Sequence, residues 1–315
     1  MADTLTTTTQ VDPAVDTYYN RVLLKEATAG LTFLNWAQHA VIPKKSGGQA
    51  KWRRYANMSP ATTPLAEGVN PPGQQLSKTD LTARLSMYGD YLHITDEVDF
   101  TVQDPVLTVA AEKLGEQESD TLDVLMRDIL VACASATNAS GGSNGGTPTE
   151  ITAGDVNAVV KTLLGGDAKP VSKQIKAGTG QGTEPIRAAF MAVIHTDLID
   201  DLEDCTGFLS VAEYPSPKDV KDTEWGSVTN VRFHQTTNGA KSSDATPVYS
   251  VPIIGQDAYG DVEISGSNQN IRHAFGSAGV ADALNRTASS GWKVMWAGRI
   301  LNDAFMHVLK VTHTA

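Results

Sequence analysis

Few residues in this chain of 315 have the types and spacing to do chemistry, and each set has a competing physical reading. Gly141-Gly142-Ser143-Asn144-Gly145 matches the G-x-S-x-G pattern that exposes a nucleophilic serine. That device needs a strand before the serine and a helix directly after it. Here a long helical periodicity precedes it and the surroundings are low-complexity, so the composition reads as a linker. Gly178-Thr179-Gly180-Gln181-Gly182 resembles a phosphate loop, but Thr183 stands where G-x-G-x-x-G needs its third glycine. His195 with Asp197, Asp200, Asp201, Glu203 and Asp204 is the densest titratable cluster. On a helix, 197/201 and 200/204 are like-charged i,i+4 pairs, which reads as a solvated acidic face. The seven histidines never form H-x-x-x-H, so zinc has no motif. The expectation is a non-enzyme without cofactor or metal, with a hydrolase using Ser143 or the 195–204 acids as the enzymatic alternative.

A second cluster points to binding. Lys44, Lys45, Lys51, Arg53 and Arg54 place five positive charges in eleven residues, interleaved with Trp52 and Tyr55. Basic residues among aromatics can hold nucleic acid. The whole chain, however, carries a net charge of −11, unlike domains whose main task is to grip phosphates. The reading favoured here is docking on an acidic surface of another copy. The candidate surface is Glu112, Glu116, Glu118 and Asp120 of the long helix.

The elements that must position these residues follow from periodicity. Leu81, Ala83, Leu85 and Met87 alternate with Thr82, Arg84 and Ser86, a period of two that predicts a half-buried strand. "QAKWRRYA" predicts a second strand. Between them lies the Pro/Gly-rich run Pro60 to Gly73, too long for a tight turn, so the pair predicts a projecting hairpin. After Asp104 as N-cap and Pro105 in the first turn, Leu107, Ala111, Leu114, Leu122, Leu125, Ile129 and Ala132 give helix spacing over about 30 residues. "TAGDVNAVVKTLLGG" reads as a capped helix ended by glycine. "IRAAFMAVIH" reads as a buried strand, and "TDLIDDLED" as a short helix capped by Thr196. "VTNVRFHQT", "PVYSVPIIG", "DVEIS" and "GWKVMWAGRIL" read as further strands. Helices are also expected between Pro13 and Trp36, after a polar arm. Helices and strands in separate runs predict an α+β fold.

Hydrophobic residues make up 41% of the chain, which is globular. Two cysteines, Cys133 and Cys205, cannot build a disulfide framework and suit a reducing compartment. No signal-peptide pattern opens the chain, and no apolar window is long enough to span a membrane.

The order of arm, extended loop, long helix and α+β half is similar to that of tailed-bacteriophage major capsid proteins with the HK97-like fold. The series "TPLAEGVNPPGQQLSKTDLTARLSMYGDYLHITDEVDF", "GTEPIRAAFMAVIHTDLIDDL", "GSVTNVRFHQTTNGA", "PVYSVPIIGQDAYGDVEI" and "GWKVMWAGRILNDAFMHVLKV" resembles the N4-type family of them, from about residue 15 to the C-terminus. The resemblance implies an N-arm over 1–47 and an E-loop hairpin over 48–98. It implies a P-domain with the spine helix over 99–149, joined by returning strands at about 291–315, and an A-domain over 150–290. It implies self-assembly as hexamers and pentamers into an icosahedral shell around double-stranded DNA. The DNA would be touched only weakly and non-specifically. Portal and a separate scaffolding or decoration protein would be partners, and assembly would occur in the bacterial cytoplasm. A cellular nanocompartment shell of the same fold is the alternative. The inter-subunit contacts expected are Lys51, Trp52, Arg53, Arg54, Tyr55, Leu81, Leu85 and Met87 of the hairpin and Glu112, Glu116, Glu118 and Asp120 of the spine. Some relatives crosslink through Lys and Asn beside a carboxylate. Lys78 and Glu67 lie in the hairpin, but no residue matches that chemistry, so no crosslink is expected. No fused scaffolding segment is visible.

Overall fold

The computed structural model describes residues 31–65, 67–68, 70–71, 73–101, 106–172, 188–214, 220–244, 246–277 and 282–313. The expected helices between Pro13 and Trp36 lie largely outside them, and residues 33–36 form a turn. Asp104, Pro105 and the Gly178–Gly182 loop also lie outside.

In chain order, β1 (Gln38–Ile42) leads to β2 (Gln49–Tyr55), β3 (Lys78–Arg84) and β4 (Ser86–Thr95). Then come α1 (Asp96–Thr101), the long α2 (Val106–Val131), β5 (Ala136–Asn138) and α3 (Ala153–Gly165). They are followed by β6 (Phe190–His195), α4 (Ile199–Glu203), β7 (Phe208–Ser210), β8 (Glu224–Val228) and β9 (Val231–Thr236). The chain closes with β10 (Ala240–Lys241), β11 (Val248–Ile254), β12 (Tyr259–Ile264), β13 (Gln269–His273), β14 (Thr287–Ile300) and β15 (Met306–Thr312).

Three sheets result. β2 and β3 pair only with each other, as the antiparallel hairpin that the alternation predicts. The second sheet is organised by β14, which pairs with β4 along one edge and with β13 and then β12 along the other, and β1 adds parallel to β12. The third has the order β5-β15-β11-β6-β9-β8-β7, with β10 on β11.

The α2 rod of 26 residues is about 39 Å long and lies across the β14 sheet. Trp292, Val294 and Trp296, spaced two apart on β14, face Leu114, Met126 and Leu130 of the helix in one buried cluster. The approach is close: a Cβ at Gly298 would stand 2.9 Å from Ile129 Cδ1 and 3.1 Å from Met126 Cε. On the third sheet, α3 buries Val156, Val159, Val160 and Leu163 against Phe190, Phe233 and Val251. Its N-terminus is capped by Thr152, whose hydroxyl accepts from Asp155 N, and it ends at Gly166, as the glycine-terminated pattern predicts.

Sheet membership cuts across the expected domain ranges. β12 and β13 fall within the range expected for the A-domain, yet they belong to the β14 sheet. β5 and the last strand β15 fall within the P-domain range, yet they complete the third sheet. Two local readings are corrected. "VTNVRFHQT" is not one strand: Thr229, at φ 53°, turns the chain between β8 and β9. The cap of "TDLIDDLED" is His195, whose Nδ1 accepts from Asp197 N, rather than Thr196.

Asp123 fastens the start of the described chain to the spine. It is fully buried on α2, and its Oδ1 accepts from Thr32 N at 2.8 Å and Phe33 N at 2.7 Å. Burial raises its pKa despite those two donors. Asp123→Ala strands two buried N–H groups and is expected to cost about 2–3 kcal/mol. Urea unfolding should show it, with Asp123→Asn losing less because it keeps an acceptor oxygen.

Candidate assembly surfaces

The hairpin sorts its residues by face. Ala50 and Trp52 of β2 stand opposite Ala83 and Leu81 of β3, and this face packs on Val262 and Ala297. The other face carries the charges. Arg53 stands opposite Asp80 and donates from Nε to its Oδ1 at 2.9 Å, while Lys51 Nζ lies 2.8 Å from Oδ2. These bonds, Arg53 first, hold the Asp80 carboxyl at about 2. Asp80 is the residue sequence reading missed. Its signal was an acid placed across a hairpin from a basic run, legible only once the register is known. Arg54, Lys44 and Lys45 make no ion pair among the described residues. Arg54 and Tyr55 remain exposed.

The apolar stripe is corrected. The chain breaks strand geometry at Leu85, whose N–H donates to Gly48 O, and β4 joins a different sheet. Leu85 is therefore buried at the hairpin root, 6% exposed, inside its own chain. Leu81 is half-buried, whereas Met87 is 63% exposed on β4 and no longer shares a face with either.

The acidic run on α2 is likewise split by helix geometry. Position 118 falls one turn beyond Leu114, on the buried stripe, and Glu118 is 1% exposed and accepts from Asn268 Nδ2 at 2.7 Å. Burial raises its pKa. Glu118 is thus not available to a neighbour. Glu112, Glu116 and Asp120 are exposed; Glu116 pairs with Lys113 at 2.6 Å, and beside them Val124 and Leu125 line a shallow surface groove.

The residues singled out for catalysis are engaged elsewhere. Ser143 lies in the loop between β5 and α3, with its Oγ 3.2 Å from Ser140 Oγ rather than beside a base. Asp155 holds that loop by accepting from Ser140, Gly141 and Gly142 N–H groups. The 195–204 acids diverge. Asp197 accepts from Lys241 Nζ at 2.9 Å and Tyr249 OH at 2.7 Å, which sets its carboxyl at about 2. Asp201 meets His313 at 2.8 Å, and Glu203 accepts from Trp225 Nε1 at 2.9 Å. Among the described residues no three His, Cys, Asp or Glu side chains converge as metal ligands, and no helix is long and apolar enough to cross a membrane.

No family model matches the sequence, and no curated protein does. Solved structures do. The capsid of Ralstonia phage GP4 matches with a TM-score of 0.67 at 10% identity, over 89% of this chain and 87% of that one. The head structure of Helicobacter pylori bacteriophage KHP40 matches at 0.61 and 10% identity, over 87% and 88%. The capsid asymmetric unit of cyanophage Pam1 matches at 0.60 and 15% identity, over 86% of each. Matches over 86–89% of the chain give it the α+β, HK97-like fold of phage capsid structures.

Proposed function

We propose that this chain is the major capsid protein of a tailed bacteriophage. It assembles as hexamers and pentamers into the icosahedral shell around the double-stranded DNA genome. The observation that carries this reading is the near-complete mutual coverage with phage capsid structures. Residues 1–47 act as N-arm and the hairpin as E-loop. Residues 99–149 with the returning strands at about 291–315 act as P-domain, and residues 150–290 as A-domain. The ordered sequence series supports an N4-type member. Portal and a separately encoded scaffolding or decoration protein complete the particle, which assembles in the host cytoplasm. The net charge of −11 suits an inner wall that holds DNA weakly and without sequence preference.

The hairpin reaches across a neighbouring subunit, where Arg54, Tyr55, Trp52 and Leu81 meet the exposed Glu112, Glu116 and Asp120 of the spine. Arg54→Glu should leave the monomer folded and lower the yield of closed particles, because this exposed charge makes no ion pair among the described residues and matters more at an interface than in a monomer. Sedimentation and negative-stain electron microscopy check it; particles at wild-type yield would remove the electrostatic contact. The function itself is tested by imaging the protein expressed with a phage scaffolding protein. Closed shells or capsomer rings are expected, and a persistent 33.5 kDa monomer would count against the reading.

A further inference from the structure

The turn between β9 and β10 carries the dipeptide Asn238-Gly239, seated on α2. Two separate demands of the fold fix its composition. Gly239 is buried, and a Cβ there would stand 2.7 Å from His195 Cα and 2.8 Å from His195 N, so the position needs glycine. Asn238 faces two carboxylates of α2, with Nδ2 3.4 Å from Asp120 Oδ1 and 3.5 Å from Asp123 Oδ2, so the position needs a donating amide.

The same surroundings favour a reaction of the dipeptide with itself. The backbone nitrogen of a glycine can attack the side-chain amide of a preceding asparagine, because no Cβ hinders its approach. Gly239 N–H makes no hydrogen bond among the described residues, so nothing holds its proton. Arg127 Nη1 donates at 3.0 Å to Asn238 O, the carbonyl of the same peptide unit. That guanidinium stabilises the negative charge which the unit carries once the proton leaves. The leaving nitrogen, Asn238 Nδ2, points at Asp120 and Asp123. Burial raises the pKa of Asp123, which makes it readier to carry the proton that ammonia takes away. Both contacts are long, so the amide is loosely held and can turn toward Gly239 N.

We propose that Asn238 is a site of spontaneous deamidation, promoted by Arg127 above the peptide and by the two α2 carboxyls beside the leaving group. Gly239 N loses its proton to solvent and bonds to Asn238 Cγ. The Cγ–Nδ2 bond breaks and ammonia departs, leaving a succinimide ring. Water then opens the ring to aspartate or isoaspartate, so the net change consumes a water and releases an ammonia. The product sets a third carboxylate against Asp120 and Asp123. Isoaspartate also adds a methylene to the backbone where Gly239 has no room beside His195. Either product loosens the turn from α2, and with it one fastening of the third sheet to the helix. The inference does not depend on the shell-forming reading.

The purified chain is held in mildly alkaline buffer, folded or in urea, and peptide mapping by mass spectrometry follows conversion. Asn144-Gly145 is the internal control, an exposed loop site where Asn144 Oδ1 accepts from Asn138 N at 3.0 Å. Asn238 should convert about tenfold faster in the folded chain than in urea, with no such gain at Asn144. Arg127→Ala should slow Asn238 about tenfold and leave Asn144 unchanged, and Arg127→Lys should recover part of the rate. Thermal unfolding shows that each variant is folded. Conversion of Asn238 that is slower folded than in urea, or unaffected by Arg127→Ala, would overturn the proposal. Asn238→Asp, which copies one product, should melt below wild type; an equal or higher midpoint would contradict the loosening.

Discussion

Arg232→Ala is expected to lower the stability of the third sheet by about 3–5 kcal/mol, because it leaves a buried carboxylate without its counter-ion. Arg232 on β9 donates from Nε and one terminal nitrogen to the two oxygens of Glu224 on β8, each at 2.6 Å. The two side chains are 4% and 0% exposed. Arg232 also lies over the Tyr214 ring, its guanidinium carbon 5.6 Å from the centroid. Removing the cation costs the desolvation of Glu224 as well as both hydrogen bonds, so the loss exceeds that of an exposed pair such as Lys113–Glu116. In a chain this large the melting temperature should fall by about 5–8 °C. Calorimetry of the wild type and variant checks it, and an unchanged midpoint would contradict the burial argument. Replacing Arg232 and Glu224 together with apolar residues of matched volume should recover much of the loss, since the pair itself pays heavily for leaving water.

Acidification should weaken the same region through His234. This side chain, on the same strand two residues on, is 1% exposed, with Nδ1 3.2 Å from Thr223 Oγ1 and its ring 4.6 Å from that of Trp36. Burial first, and then the charges of Arg232 and Lys221, push its pKa down from 6.5 to about 3. The sign follows. Between those values the unfolded chain binds a proton that the folded chain refuses, so stability is full above pH 6.5 and falls as the pH drops toward 3. The slope approaches about 1.4 kcal/mol per pH unit, or roughly 2–3 kcal/mol between pH 6 and pH 4. Other groups titrate too: burial lowers His307 and so adds to the loss, while it raises Asp123 and Glu118, which opposes it. The difference between wild type and His234→Gln isolates the histidine. Denaturation at a series of pH values should give a flatter dependence for the variant; identical slopes would exclude His234 as the source.

The sequence carried the class of fold a long way. Period-two alternation in β2 and β3 and the long Pro/Gly run between them were enough for a hairpin, because side-chain direction alternates with every residue of a strand. The caps of α3 were readable from Thr152 and the terminal glycines, because capping is a local hydrogen-bond problem. The charged surfaces were read less well. Glu118 looked like its acidic neighbours but is buried, since its environment depends on which side of α2 meets β14. Asp80 drew no attention, although it satisfies both Lys51 and Arg53.

By itself, then, the sequence determined the α+β class, the projecting hairpin and the long helix, all of which follow from local periodicity and spacing. Tertiary structure decided the rest. It broke the 78–95 run at Leu85 and handed β4 to β14. It sent β15 into the third sheet and set the turn at Asn238 against α2. Strand partners are chosen by contacts between residues far apart in sequence, here between residues near 90 and residues near 290, and no local pattern encodes that choice.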